Sequence, residues 1–260
     1  MTDPLDMTGK VVVVTGGSRG VGDGIVETFL RAGATVETCG RTAPERLRDV
    51  DGRVATFSPV DVRDEEQIGA WAADVTGRHG QVDVLVNNAG GAPFLDFDSS
   101  SPRLLRKVLE LNLTSAILVS HRFRRVMPSG GVVLNITSIS ARRPSPGTAV
   151  YGAAKAGLES LTGSLAVEWA PQVRVNAISC GLVATPGGDD HYGDADQMAR
   201  IARTIPRGVL ATPLEIGAAC LMLASPLSRH ITGAILNVDG GGEWPAFLQH
   251  APRAPKESHA

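Results

Sequence analysis

The chain has 260 residues, a formal net charge of −2 and only 4% aromatic residues. That near-neutral balance excludes a global basic field that would draw the protein to nucleic acid or anionic lipid, and the scarcity of aromatics argues against base-stacking platforms. Three cysteines (Cys39, Cys180, Cys220) stand without metal or CxxC spacing, which points to a reducing, cytoplasmic setting. Residues 1–9 are short and polar and do not read as a signal peptide. No apolar stretch reaches the length of a bilayer span, so no membrane insertion is expected.

Residues 10–14 form a valine-rich strand without polar alternation, as expected of a strand buried on both faces of a parallel sheet. A turn from Thr15 to Gly22 leads into a helix with Ile25, Phe29 and Leu30 on one face and Gly33 as its stop. Residues 34–39 are a second strand, ending at Gly40-Arg41, and 54–58 a third, closed by residues 59–62. Residues 64–79 carry Ile68, Trp71, Ala72 and Val75 at helical spacing. Residues 82–86 are a fourth strand, running into Asn87-Asn88-Ala89-Gly90. Residues 102–127 read as helical with a break near Asn112, residues 131–136 as a fifth strand leading to Thr137-Ser138, and 150–169 as a long helix. A sixth strand at 173–178 precedes an irregular stretch, 183–212, rich in Gly and Asp. A helix at 213–224 and a strand at 234–238 complete the alternation. No linker divides the chain, so residues 1–260 are expected to form one domain, with its core at about 10–241. The extension, 242–260, carries the apolar Trp244, Phe247 and Leu248.

This alternation predicts an α/β fold: a doubly wound parallel sheet of about seven strands with helices on both faces, and ligand at the carboxyl ends of the strands. There fall the turn from Gly16 to Gly22, Arg41, Asp61, Asn88, Ser138 and Cys180. Gly16, Gly20 and Gly22 lie between a strand and a helix, where glycines let a backbone approach a pyrophosphate and the helix start supplies N–H groups. In the helix at 150–169, Tyr151 and Lys155 stand at i and i+4 on one face. A phenol has a pKa of roughly 10, and a fixed ammonium beside it favours the phenolate, so the pair suits proton transfer to or from an oxygen. His79, His121, His191 and His230 have no ligand spacing and read as surface or packing residues, so no metal site is expected. Arg142 and Arg143, between Ser138 and Tyr151, are either solvated or placed to meet an anionic part of a substrate, such as the phosphates of a coenzyme A thioester.

In order and spacing, Thr15-Gly16-Gly17-Ser18-Arg19-Gly20-Val21-Gly22, Asp61-Val62, Asn87-Asn88-Ala89-Gly90, Asn112, Ser138, Tyr151, Lys155, and Asn176-Ala177 before Gly181 resemble the short-chain dehydrogenase/reductase family. The resemblance runs from about Lys10 to Gly241. It implies a single Rossmann domain, a nicotinamide cofactor, and hydride exchange with a hydroxyl or carbonyl carbon of a small molecule. It implies Tyr151 as general acid/base, with Lys155 lowering its pKa and holding the nicotinamide ribose. Ser138 would hydrogen-bond the substrate oxygen, and Asn112 would keep a helix break open and position a water. Gly16, Ser18, Gly20 and Val21, with Arg19 and Gly22 in the same turn, would line the pyrophosphate and adenosine side. Asp61 and Val62 would hold the adenine, and Asn88, Ala89 and Gly90 would floor the ribose. Gly181 would lie in the cofactor-facing loop, and Val183 and Thr185 at the carboxamide end. The family commonly forms tetramers through its two long helices, here near 103–127 and 150–169, so a homo-oligomer (tetramer or dimer) is implied. Cys180-Gly181 replaces the family's usual Pro-Gly, which frees φ and implies a looser loop.

Dinucleotide sites that prefer NAD place an acid at the end of the second strand. Here that place holds Gly40 and Arg41. A guanidinium pairs with a 2′-phosphate, and Arg19 could clamp it from the other side, so NADP(H) is expected over NAD(H). Glu37 is the acid that a different strand register would bring closer. The expected function is interconversion of a secondary alcohol and a ketone on a bulky, largely apolar substrate such as a hydroxysteroid or a 3-oxoacyl thioester. The competing reading, a nucleotide-binding regulatory or scaffold protein on the same fold, is opposed by the intact set of Asn112, Ser138, Tyr151 and Lys155.

Overall fold

Val11, Val12, Val13 and Val14 are all buried, and the pleat divides them: Val12 and Val14 enter one core cluster, Val11 and Val13 the other. With both faces covered, the run needs no polar alternation. The computed structural model describes residues 3–94, 96–185 and 193–249. In it β1 (Val11–Thr15) leads to α1 (Gly20–Arg31) and β2 (Thr35–Gly40). A small antiparallel hairpin follows, β3 (Asp49–Val50) with β4 (Arg53–Val54), and then β5 (Thr56–Pro59) and α2 (Glu65–His79). β6 (Val84–Asn87) precedes α3 (Pro102–Leu109) and α4 (Ser115–Phe123). β7 (Gly131–Ser138), α5 (Ala149–Glu168) and β8 (Val173–Cys180) come next. The chain finishes with α6 (Ala195–Ala202), α7 (Pro213–Ala224) and β9 (Ile235–Val238).

The seven long strands form one parallel sheet, β5-β2-β1-β6-β7-β8-β9. Strand order reverses between β1 and β6, which opens a crevice at their carboxyl ends. At the opposite ends of the same two strands, Asp83 accepts from Lys10 Nζ and from Val11 N, both at 3.0 Å. Helices α1 and α7 cover one face of the sheet; α2, α4 and α5 cover the other. Glycines set the α1–α7 spacing: a Cβ at Gly24 would lie 2.4 Å from Pro213 Cβ, and one at Gly217 would lie 2.1 Å from Thr28 Oγ1.

Three local readings of the sequence change. The expected strand at 54–58 is split, because Asp51 (φ +52°) and Gly52 (φ +78°) turn β3 back on β4 and the sheet strand begins only at Thr56. The Asp-Gly pair is the hairpin signal that was available there. The expected break in 102–127 is a single wide turn of π-helix, Glu110–Thr114, that carries Asn112 and lets α3 run on into α4. Within the irregular stretch, α6 is a capped helix: Asp194 accepts from Gln197 N, and the Gln197 side chain accepts from Asp194 N. Residues 186–192 of that stretch, including His191, lie outside the described residues. Among the described residues no helix is long and apolar enough to cross a membrane.

Candidate active site

The turn after β1 is shaped by its own close contacts. Gly16 has φ +67°, and a Cβ on it would lie 3.1 Å from Ala89 Cα. A Cβ at Gly22 would lie 2.2 Å from Gly16 O, and one at Gly17 would lie 2.3 Å from Thr38 Oγ1. Two threonines the sequence reading passed over hold the turn in place. Thr15 Oγ1 accepts from the backbone N–H groups of Asn88 and Ala89, each at 3.0 Å. Thr38 Oγ1 accepts from Gly17 N at 2.9 Å and donates to Val14 O at 2.8 Å. Asn88 Nδ2 donates to the Thr15 and Gly16 carbonyls at 2.9 and 3.1 Å, so Asn88 braces the turn. Helix α1 then starts at Gly20 (φ +56°), with Arg19 at the N-cap and no side chain capping its first turn. A glycine cradle that Cβ atoms would fill, opening onto an uncapped helix start, fits a pyrophosphate. Thr185 stands over it, its methyl 3.7 Å from where a Gly20 Cβ would be. Val21, Val62 and Val183 pack their side chains against the core clusters, so what each offers a ligand is backbone.

At the end of β2 the register is Val13 opposite Glu37, and Glu37 is fully buried and turned toward the end of α2. There it accepts from Arg78 Nη2 at 2.8 Å and pairs with His79 Nε2 at 2.7 Å. Glu37 therefore does not serve the crevice, which receives Gly40 and Arg41. Ser18 adjoins Gly40, with its Oγ 3.6 Å from the position of an added Cβ. Asp61, after β5, is gripped by Arg63, Nε to Oδ1 at 2.9 Å and Nη2 to Oδ2 at 2.5 Å. This clamp, assisted by the Arg41 charge, holds the Asp61 carboxyl below the usual carboxylate range.

The proton-transfer candidates gather at the ends of β6 and β7. Ser138 is the last residue of β7, and its Oγ accepts from Ser140 N at 3.2 Å, which leaves its O–H to donate. Helix α5 presses against this turn: a Cβ at Gly152 would lie 2.7 Å from the Ser140 carbonyl oxygen. Tyr151 and Lys155 lie on that helix, and Lys155 Nζ is 5.6 Å from the Tyr151 ring centroid. Lys155 is buried and donates to Ile136 O at 2.9 Å. Burial lowers its pKa to about 8, against a small opposing effect of Cys180. Asn112 spans Gly91 with two hydrogen bonds, accepting from its N–H and donating to its carbonyl, both at 2.8 Å. It also donates to Val108 O at 2.9 Å. Gly90 is enclosed by both side chains, since a Cβ there would lie 2.7 Å from Asn112 Oδ1 and 3.1 Å from Lys155 Nζ.

The expected looseness after β8 is absent: the strand runs through Cys180, registered opposite Ser138 on one side and Val238 on the other. Gly181 N donates to Val238 O at 2.9 Å, and a Cβ on Gly181 would lie 2.7 Å from Asp239 Cα, so Gly181 is needed for packing. Burial pushes the Cys180 thiol up to about 12, with the Lys155 charge opposing. The two loop arginines are committed to carboxylates. Arg142 donates to Glu159 Oε2 at 2.9 Å and to Asn237 Oδ1 at 3.2 Å, and Arg143 pairs with Glu243. Beside Tyr151 a narrow cleft of about 20 Å³ is lined by Pro93, Phe97, Leu105, Val108 and Val150. A larger cavity of about 200 Å³, between the end of β9 and the segment around Ile205, contains none of the four reaction-centre candidates. Among the described residues no three His, Cys, Asp or Glu side chains cluster as a metal would require.

The family model for enoyl-(acyl carrier protein) reductase matches residues 8–243. A 3-oxoacyl-(acyl-carrier-protein) reductase of Chlamydia muridarum is 36% identical over 249 residues, covering 90% of this chain and 98% of that protein. The 3beta-hydroxysteroid dehydrogenase 1 of Eggerthella lenta is 35% identical, covering 91% of this chain and 94% of its own. Among solved structures, ligand-free aldohexose dehydrogenase from Thermoplasma acidophilum superposes with a TM-score of 0.86 at 27% identity, covering 97% of this chain and 99% of that one. With this fold, these matches and a crevice built for a dinucleotide, the chain belongs to the short-chain dehydrogenase/reductase family of NAD(P)-dependent oxidoreductases acting on CH–OH and C=O groups.

Proposed function

We propose that the chain acts as one catalytic domain that interconverts a secondary alcohol and a ketone with NADP(H) and accepts bulky, apolar substrates. The observation that carries this reading is the gathering of Tyr151, Lys155 and Asn112 around Gly90, at the mouth of the nucleotide crevice. When bound, the reduced nicotinamide supplies hydride to the carbonyl carbon. Tyr151 delivers its phenolic proton to the carbonyl oxygen as charge develops there, and removes it in the reverse direction. Ser138 donates a second hydrogen bond to the same oxygen. Lys155, protonated below about pH 8 although buried, favours the phenolate of Tyr151 and holds the ribose. Asn112 fixes the π turn against Gly91 and positions a water for proton relay. The turn from Gly16 to Gly22 holds the pyrophosphate, Asp61 and Val62 the adenine, Asn88 to Gly90 the ribose, and Gly181, Val183 and Thr185 the far end. Arg41 and Arg19 take the 2′-phosphate. Exposed Ile117 on α4 and Val167 on α5 support assembly of a homo-oligomer through these helices, in the cytoplasm.

Tyr151→Phe keeps the ring and removes the donor. Turnover is expected to fall by at least about 100-fold, with NADPH affinity within a few-fold of the parent. Retention of most of the activity by this variant would overturn the assignment.

A further inference from the structure

Phe94 and Phe97 follow Gly90 on the loop after β6, and both rings are largely exposed, at 78% and 58%. Exposed aromatic pairs on a soluble surface mark a contact to be made. Phe94 lies against the loop that follows β7. Gly147 there has φ +77°, and a Cβ on it would lie 2.1 Å from Phe94 Cε2 and 2.2 Å from Cζ. Only a glycine lets that ring lie flat on the chain. Phe97 lines the cleft beside Tyr151, and Gly147 lines the same cleft. The two loops thus meet over the site through one aromatic contact, with apolar walls below. Nothing cationic lines the cleft, and Arg142 and Arg143, the nearest cations in sequence, are already paired with Glu159 and Glu243. The open space, about 20 Å³, holds about one water and is too thin for a branched or hydrated group.

We propose that Phe97 and the Phe94–Gly147 contact determine specificity, selecting uncharged substrates whose carbonyl carries a flat apolar group that slides beside Phe97. This deepens the reading of the site given above and rests on it. It also runs against an anionic thioester: no free cation stands where the phosphates of such a substrate could be met.

The test compares four probes with the full-length enzyme and NADPH: acetophenone, its 4-carboxylate, 2-butanone and acetoacetyl coenzyme A. The parent is expected to reduce acetophenone with kcat/KM at least about tenfold above that for the carboxylate or the thioester, since an unpaired charge is costly to bury in an apolar cleft. Phe97→Ala should lower kcat/KM for acetophenone by about tenfold, the scale of losing one apolar contact in a substrate pocket. It should change 2-butanone less than about twofold and leave NADPH affinity unaltered. Gly147→Val, which displaces the Phe94 ring, should reproduce the acetophenone defect. Equal losses on both ketones, or preference for the thioester, would overturn the proposal. If the parent turns over none of the probes, the reductase reading fails by itself. The cleft is then judged by calorimetric binding of 1-phenylethanol to the NADPH complex: weaker binding to Phe97→Ala supports it, and unchanged binding overturns it.

Discussion

A methyl group added at Gly40 would meet the Phe57 ring at 3.4 Å and Ser18 Oγ at 3.6 Å, both ordinary contact distances. A carboxylate therefore fits at the end of β2 without moving the backbone, and its absence defines the cofactor site more than any residue present. Arg41→Ala is expected to weaken NADPH binding by roughly tenfold or more, the value of one charge-assisted hydrogen bond, and to leave NADH binding unchanged. Gly40→Asp on that background should reverse the preference by placing an acid where the ribose 2′-OH lies. Fluorescence titration of both cofactors checks this, and an unaltered NADPH dissociation constant in Arg41→Ala would refute it. The position of Gly40 was legible from a count along the strand. The fate of Glu37 was not, because its partners Arg78 and His79 lie about 40 residues away in sequence and only the folded α2 brings them to β2. The same holds for Arg142, whose three-way tie to α5 and β9 joins segments no local pattern connects.

Elements were legible where burial alone decided them. Valine runs gave β1 and β6, and the i, i+4 stripe of Ile68, Trp71, Ala72 and Val75 gave α2, whose start Asp64 caps through Glu66 N and Gln67 N. Where a local hydrogen bond outvoted hydropathy, the reading missed. The β3–β4 turn depends on two positive-φ residues, α6 on the Asp194–Gln197 capping box, and the π turn on one side chain, Asn112. The α1–α7 contact depends on missing side chains and was invisible to any hydrophobic pattern. Gly217→Ala would set a methyl 2.1 Å from Thr28 Oγ1 and 2.7 Å from Gly24 O. It is expected to cost about 2 kcal/mol in urea unfolding, within the usual range for overpacking, although alanine is the better helix former. Gly217→Ala with Thr28→Ser should not recover that loss, because the clashing oxygen remains, whereas Thr28→Ala should recover part of it. A neutral or stabilising Gly217→Ala would show that the two helices can separate freely.

Titration acts on the molecule as a whole. Folded Lys155 gives up its proton near pH 8, while in the unfolded chain it keeps it to about 10.5. Between those values the unfolded chain carries more protons, so stability rises with pH by about 1.4 kcal/mol per unit. That contribution is complete above 10.5 and gone below 8. The buried thiols act in the opposite sense. Burial raises Cys39 and Cys180 to about 12, and Cys220 well above its ordinary value of 9.0. Above pH 9 the unfolded thiols ionise while the folded ones do not, and three of them remove about 4 kcal/mol per unit, more than Lys155 adds. Stability of the cofactor-free protein is expected to rise from pH 8, turn over near pH 9 and fall beyond it. Lys155→Met should flatten the rising limb without moving the falling one. Denaturant midpoints across this range measure it, and a continued rise past pH 10 would exclude the thiol contribution.

The glycine-spaced packing of α1 on α7 also has a consequence in time. From Arg31, where α1 ends, to Pro213, where α7 begins, the ribosome must add about 180 residues. At roughly 5–20 residues per second, that is about 10–35 seconds of synthesis. Throughout it, Ile25, Phe29 and the bare backbone at Gly24 have no final partner to cover them. The nascent chain must carry that surface, shielded by transient contacts or by a chaperone, until the last fifth of the protein emerges to close it.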